Sequence, residues 1–173
     1  MNLRKVLDYS LVEAHLKKLW RHLREQENTG PVLDIVLLEG ARYFYEHLMA
    51  SGDLGHDCRM IAVHSYSGTQ STGTVKGLAL DDDLSAYRTI NVFDDLCDTG
   101  LTLEETKKFL KSKTAAGTAL NFYTLFNKAE SNRFELSFPA LEIPPFFVVG
   151  CGLDYNGRYR ELDGVFELLL SEK

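Results

Sequence analysis

Apolar residues along this chain fall alternately into compact runs and into stretches of helical period. Leu16, Leu19, Trp20 and Leu23 recur at three- to four-residue intervals and predict an amphipathic helix. Ser10-Leu11-Val12-Glu13 has the spacing of a capping box at its start, and Gly30-Pro31 closes the segment. Trp20 lies on the apolar stripe and reads as core. Val32–Leu38 reads as a buried strand, Glu39-Gly40-Ala41 as a loop and residues 42–50 as a short helix. A second strand is predicted over 59–66. Small and hydroxyl residues fill the next loop, Ser67 to Thr74, with the composition of a mobile lid and a possible ribbon over 76–80 at its base. Further along, 89–93 predicts a strand, 102–112 a helix and 119–126 a strand. A proline-rich crossing at Pro139, Pro144 and Pro145 leads to a last strand over 146–151. Strands alternating with helices predict an α/β fold, a twisted parallel sheet with helices on both faces.

The totals change this picture little, but they exclude several functions. With 173 residues and no internal repeat or linker, the chain is expected to form a single domain, 1–173. A formal net charge of −6 without a dense Lys/Arg run disfavours a nucleic-acid partner. Cys58, Cys97 and Cys151 are odd in number and lack CxxC spacing, so neither a disulfide framework nor a zinc site is indicated. The start of the chain turns acidic at Asp8 before any long apolar stretch, unlike a signal peptide, and no segment approaches the ~20 apolar residues of a membrane span. A cytoplasmic protein without a membrane partner is expected. His15, His22, His47, His56 and His64 have no metal-ligand spacing; His64 borders the loop, yet it too reads as structural.

The candidate chemistry lies in Asn91-Val92-Phe93-Asp94-Asp95-Leu96-Cys97-Asp98-Thr99-Gly100-Leu101-Thr102. Ligands of open α/β sheets bind beyond the carboxyl ends of strands, and this run sits at such an end. Thr102-Leu103-Glu104-Glu105, a second predicted capping box, opens the following helix. Amides of residues 98–102, backed by the helix dipole and two threonine hydroxyls, would form a phosphate cup. Two acids before an anion cup make sense for a sugar phosphate: ribose hydroxyls donate to Asp94 and Asp95 while Asp98 stays available as a general base. On composition alone, a solvated acidic turn with an N-capping aspartate fits equally well.

The pattern acidic-acidic-x-x-Asp-Thr-Gly-x-Thr after an apolar strand resembles the phosphoribosyl-pyrophosphate motif of type I phosphoribosyltransferases. Phe147 to Leu162, reading FVVGCGLDYNGRYREL, resembles the matching stretch of hypoxanthine(-guanine) phosphoribosyltransferases, as do Ser65-Tyr66, Ser71-Thr72-Gly73 and Leu125-Phe126-Asn127-Lys128 in order and spacing. The resemblance implies a small hood built from the C-terminal part above the sheet. It implies transfer of the 5-phosphoribosyl group from phosphoribosyl pyrophosphate to N9 of hypoxanthine or guanine, with Mg²⁺ as cofactor and a homodimer or homotetramer as the assembly. It assigns the ribose diol to Asp94 and Asp95, the 5′-phosphate to Asp98, Thr99, Gly100, Leu101 and Thr102, and proton exchange at purine N7 to Asp98. Lys128 would meet the 6-oxo group, Phe147 would stack on the base, and backbone near Val148 would read its edge. Asp154 would ligate Mg²⁺, Glu39, Gly40 and Arg160 would face pyrophosphate, and Ser65 and Tyr66 would open the lid.

Two positions depart from that family. Its loop after the first strand reads Lys-Gly or Arg-Gly, whereas this chain has Glu39-Gly40. A carboxylate beside pyrophosphate is unfavourable by ~1 kcal/mol in water and several times that without it. The expectation is that Glu39 points away, toward a subunit interface, with Arg42 as the replacement cation. Asn132 stands where an arginine is usual, with Arg133 one step on. Leu101 replaces a frequent lysine, tolerable where amides dominate the cup. These departures leave a second reading open, a non-catalytic nucleotide-binding paralogue; a DNA-binding version would need a segment that the chain before the first strand does not provide.

Overall fold

The computed structural model describes residues 2–26, 30–62, 83–128 and 134–169. Five strands form the central sheet in the order β3-β2-β4-β5-β6, every neighbouring pair parallel. They are β2 (Val32–Leu38), β3 (Asp57–Ala62), β4 (Thr89–Cys97), β5 (Ala119–Asn127) and β6 (Leu141–Glu142). The period of two in a strand sorts their side chains between the faces. Leu33, Ile35, Leu37, Ile90, Val92 and Phe122 pack on one side with Leu103 and Leu110 of α3 (Leu101–Lys113). Val36, Phe93, Tyr123 and Leu125 pack on the other with α1 (Tyr9–Glu25) and α2 (Ala41–Met49). On α1 the buried residues are Val12, Leu16, Leu19 and Leu23, one stripe whose burial contributes about 1.5–3 kcal/mol per side chain. Trp20 flanks the stripe half-buried and donates its indole N–H to the Gly52 carbonyl at 2.9 Å. No described helix is long and apolar enough to cross a membrane.

A buried polar ladder crosses the amino-terminal half of the sheet. Asp34, fully buried on β2, accepts from Tyr45 Oη at 2.9 Å and Asn91 Nδ2 at 2.9 Å, and pairs with His56 Nδ1 at 3.0 Å. Asn121 Nδ2 continues the row to Asn91 Oδ1 at 3.1 Å. A carboxylate tolerates this depth because its oxygens are met by donors on every side. Burial, with Asp34 alongside, pushes the Tyr45 phenol well above the ordinary tyrosine value.

The second sheet is antiparallel, in the order β1-β8-β7, and forms the hood. It joins β1 (Asn2–Asp8), β7 (Val148–Val149) and β8 (Gly164–Leu169), so the two ends of the described chain build it together. The predicted strand over 146–151 shrinks to two residues because Gly150 and Cys151 enter a turn with positive φ, 99° and 48°. Both predicted capping boxes are displaced. β1 runs directly into α1, so Asp8 takes the N-cap and Ser10 falls inside the helix; Gly100 takes the N-cap of α3 and Thr102 falls inside. Neither cap makes a side-chain hydrogen bond. Strand β3 starts at Asp57, two residues before its predicted start; the predicted ribbon over 76–80 lies outside the described residues.

Candidate active site

Strand β4 continues through Asp94 and Asp95 to Cys97, with Asp94 opposite Thr124 and Leu96 opposite Phe126 of β5, so both acids are strand rather than loop residues. After Cys97 the chain turns through Asp98, Thr99 and Gly100 into α3. Gly100 has φ 83°, the left-handed region that glycine enters without cost. The first-turn amides of a helix have no intrahelical acceptor; here the Leu101 amide donates weakly to Thr99 Oγ1 at 3.5 Å and the Gly100 cap has no side chain, so the turn presents donors to an anion. They border a small cavity of about 70 Å³ lined by residues 94 and 96–103. Cys97 is buried at its base, and burial next to Asp94 and Asp98 pushes the thiol up to about 11, which keeps it neutral.

A larger cleft of about 380 Å³ adjoins this cup, sharing Asp94, Leu96 and Thr102 with it. The β2–α2 turn contributes Glu39 and Gly40, β4 contributes Asp95, and the hood contributes Phe147, Val148, Leu153, Asp154 and Arg160. Asp94 and Asp95 are half-buried at its floor, and the Asp95 amide donates to Asp94 Oδ1 at 3.0 Å. Withdrawal from water, with Asp95 beside it, raises the pKa of Asp94 well above the usual carboxylate range. Burial raises Asp95 too, opposed by its neighbours' hydrogen bonds and by the Arg160 charge. Gly40 packs directly on the Asp95 carboxylate: a Cβ there would stand 2.8 Å from Oδ1 and closer to Oδ2 and Cγ.

Lys128 follows the end of β5, and its amide donates to Cys97 O at 3.0 Å. Its mostly buried side chain reaches across to Asp98, Nζ to Oδ2 at 3.0 Å. Phe147 is half exposed and meets Tyr155 edge to face, with centroids 5.6 Å apart at 81°. Val148 is buried. Asp154 accepts from the Gly157 amide at 2.7 Å and from Arg160 Nη2 at 2.6 Å; Arg160 Nη1 also donates to Gly152 O at 2.6 Å.

The predicted site residues 39, 40, 94, 95, 102, 147, 148, 154 and 160 thus line one cleft, and 98–102 line the adjoining cup. Glu39 is among the residues that line the cleft, and Arg42 lies outside that lining with Nε 3.7 Å from the Glu39 carboxylate. The Leu38–Glu39 peptide is cis. Ser65, Tyr66, the rest of the predicted lid loop, His64, Asn132 and Arg133 lie outside the described residues. Leu37, Leu38 and Leu96 in the cleft wall were not foreseen, since apolar strand ends carry no chemical signature. Tyr155, the aromatic that follows Asp154 in sequence, supports Phe147 edge to face without lining either cavity.

A parallel sheet whose central strand ends in paired aspartates above an amide cup, roofed by a small antiparallel sheet, defines a type I phosphoribosyltransferase. The solved hypoxanthine phosphoribosyltransferase of Staphylococcus aureus superposes with a TM-score of 0.83 at 26% identity, covering 96% of this chain and 91% of that one. The Trypanosoma cruzi enzyme in complex with the product IMP gives 0.76 at 28% identity, covering 95% and 93%. No family model matches the chain. The hypoxanthine-guanine phosphoribosyltransferase of Streptococcus pyogenes is 34% identical over 149 residues, 84% of this chain and 82% of that protein. The one from Lactococcus lactis is 35% identical over 143 residues, 80% and 75%. The chain belongs to the hypoxanthine-guanine phosphoribosyltransferase family.

Proposed function

We propose that this protein is a purine-salvage enzyme that joins the 5-phosphoribosyl group of phosphoribosyl pyrophosphate to N9 of hypoxanthine, guanine or both. The observation that carries the acceptor is the pairing of Lys128 Nζ with Asp98 Oδ2 at 3.0 Å beside the cup. A 6-oxopurine carries an acceptor, O6, next to N7, whose proton must leave as N9 attacks. A lysine donor beside a carboxylate acceptor matches that edge, whereas adenine would place an amino donor against the ammonium. Phe147, with its face half exposed, offers the base an apolar platform.

In the proposed reaction the N9–C1′ bond forms as the bond from C1′ to the pyrophosphate oxygen breaks. Asp98 takes the N7 proton, and Lys128 stabilises the negative charge that gathers on O6. The amides and hydroxyls of Thr99 to Thr102 hold the 5′-phosphate, fixing C1′ relative to the base. Asp94 and Asp95 accept from the ribose hydroxyls. Their raised pKa values support this reading, because hydrogen bonds from ribose hydroxyls would offset the burial that disfavours the carboxylates' charge.

Among the described residues no group of three His, Cys, Asp or Glu side chains forms a ready metal cage. Mg²⁺ fits such a site, since it binds through one or two carboxylates and takes its other oxygens from water and substrate phosphates. Asp154 would hold it, and the bound ion would neutralise charge developing on pyrophosphate. Arg160, anchored on Asp154 and Gly152, is placed to meet the same group. Mixing protein, hypoxanthine or guanine, phosphoribosyl pyrophosphate and Mg²⁺ should yield nucleotide, followed in the ultraviolet. Absence of product with hypoxanthine, guanine and xanthine alike, despite tight nucleotide binding, would replace this reading with that of a non-catalytic sensor.

A further inference from the structure

Taking the larger cleft as the seat of the diphosphate, as proposed above, we infer that Glu39 is a specificity-determining residue that favours the diphosphate as its divalent-cation complex over the bare anion. Among the described residues that line the cleft, four are carboxylates, Glu39, Asp94, Asp95 and Asp154, and one is a cation, Arg160. Arg160 is already engaged by Asp154 Oδ1 and Gly152 O, each at 2.6 Å. Asp94 and Asp95 lie at the floor, where the neighbouring cup directs them to the ribose. Glu39 is different. Its side chain is 67% exposed, and the Arg42 guanidinium, itself 47% exposed, stands 3.7 Å away. An exposed pair of that kind offsets little of the carboxylate's charge.

The turn holds Glu39 where it is. Gly40, next in sequence, packs against the Asp95 carboxylate, and the Arg42 amide donates to the Glu39 carbonyl at 3.3 Å. A bare diphosphate therefore meets a like charge on a residue of the cleft lining. The same carboxylate attracts a diphosphate that arrives with a divalent cation, either directly or through the cation's water shell. The sign of the Glu39 contribution thus reverses with the metal. For one unit charge ~4 Å from another in water the effect is about five-fold in affinity in each direction.

Calorimetry of inorganic pyrophosphate binding tests this without turnover, in EDTA and in saturating Mg²⁺, for wild type, Glu39→Gln and Glu46→Gln. Glu46 is an exposed acid of α2 outside the cleft lining. Glu39→Gln is expected to tighten metal-free binding about five-fold and to weaken binding in Mg²⁺, so the ratio of the two affinities shrinks by more than about five-fold. Glu46→Gln should keep the wild-type ratio. An unchanged ratio in Glu39→Gln, or an equal shift in Glu46→Gln, overturns the role of Glu39 while leaving the transferase reading intact if turnover is normal. No binding of pyrophosphate to the wild type in Mg²⁺ overturns both.

Discussion

Adding one methyl group at Gly40 should disable the site while leaving the sheet and helices in place. Gly40 has φ −58° and ψ −50°, ordinary right-handed values that alanine adopts freely, so backbone strain plays no part. The obstacle is Asp95, whose Oδ1 would lie 2.8 Å from the new Cβ with Oδ2 and Cγ closer still. Either the carboxylate swings away or the turn lifts, and overpacking of this kind costs about 1–3 kcal/mol. For a chain of 173 residues that corresponds to a melting temperature lower by roughly 2–12 °C. The assay is a double-mutant cycle by denaturant unfolding with Gly40→Ala, Asp95→Ala and the pair. Removing the Asp95 carboxylate removes the clash, so Gly40→Ala should cost under ~0.5 kcal/mol in that background. In steady state, Gly40→Ala should raise KM for phosphoribosyl pyrophosphate at least ~10-fold, the equivalent of ~1.4 kcal/mol of lost ribose contact. Equal destabilisation in both backgrounds, or a wild-type KM, would refute the close packing as the cause.

Two further predictions concern the acids. Asp98→Asn should lower kcat by roughly 10²–10⁴-fold while the product nucleotide still binds; unchanged turnover would remove Asp98 as the proton acceptor. Asp94 is raised in the folded state by burial and by Asp95, so its ionisation opposes folding: its contribution is fully favourable below the unfolded carboxyl value near ~3.9 and is lost as pH rises through the higher folded value. Ligand-free protein should therefore lose melting temperature as pH climbs from about 4 through that range, and Asp94→Asn should flatten the decline, adding about 1 kcal/mol or ~2–4 °C at pH 7 while weakening ribose binding. A melting temperature at pH 7 equal to or below the wild type would show that Asp94 is not strained by its surroundings.

Much of the site was legible because its chemistry is contiguous. Asp94 to Thr102 spans one strand end, one turn and one helix start, so local spacing offers an anion cup beneath two carboxylates beside a plain acidic turn, and the resemblance to the phosphoribosyl-pyrophosphate motif favours the cup. The apolar runs of β2, β4 and β5 were equally plain, since strands covered on both faces read as continuous hydrophobic stretches. The hood was harder. β1 carries Arg4, Lys5 and Asp8 and pairs with β8 at the far end of the chain, its Arg4 meeting Glu167 at 2.5 Å. No local period reveals a partner that distant. The capping boxes misled for a related reason: a Ser-x-x-Glu pattern fixes no boundary when the preceding strand runs straight into the helix, as β1 does at Asp8. The contact of Lys128 with Asp98, 30 residues apart, depends on β4 and β5 ending side by side. Glu39 reads as a departure from the family, but its place in the cleft lining depends on the β2–α2 turn meeting β4, where Gly40 seats on Asp95, a packing fact with no trace in either residue's neighbours.

The ratio of kcat/KM for hypoxanthine to that for adenine tests the 6-oxopurine assignment most directly. If Lys128 and Asp98 read O6 and the N7 proton together, adenine leaves a mostly buried ammonium facing another donor, and such sites reject the wrong base by ~10⁴-fold or more. A ratio of that order is the predicted result. A ratio below about tenfold, within what shape alone provides, would contradict it.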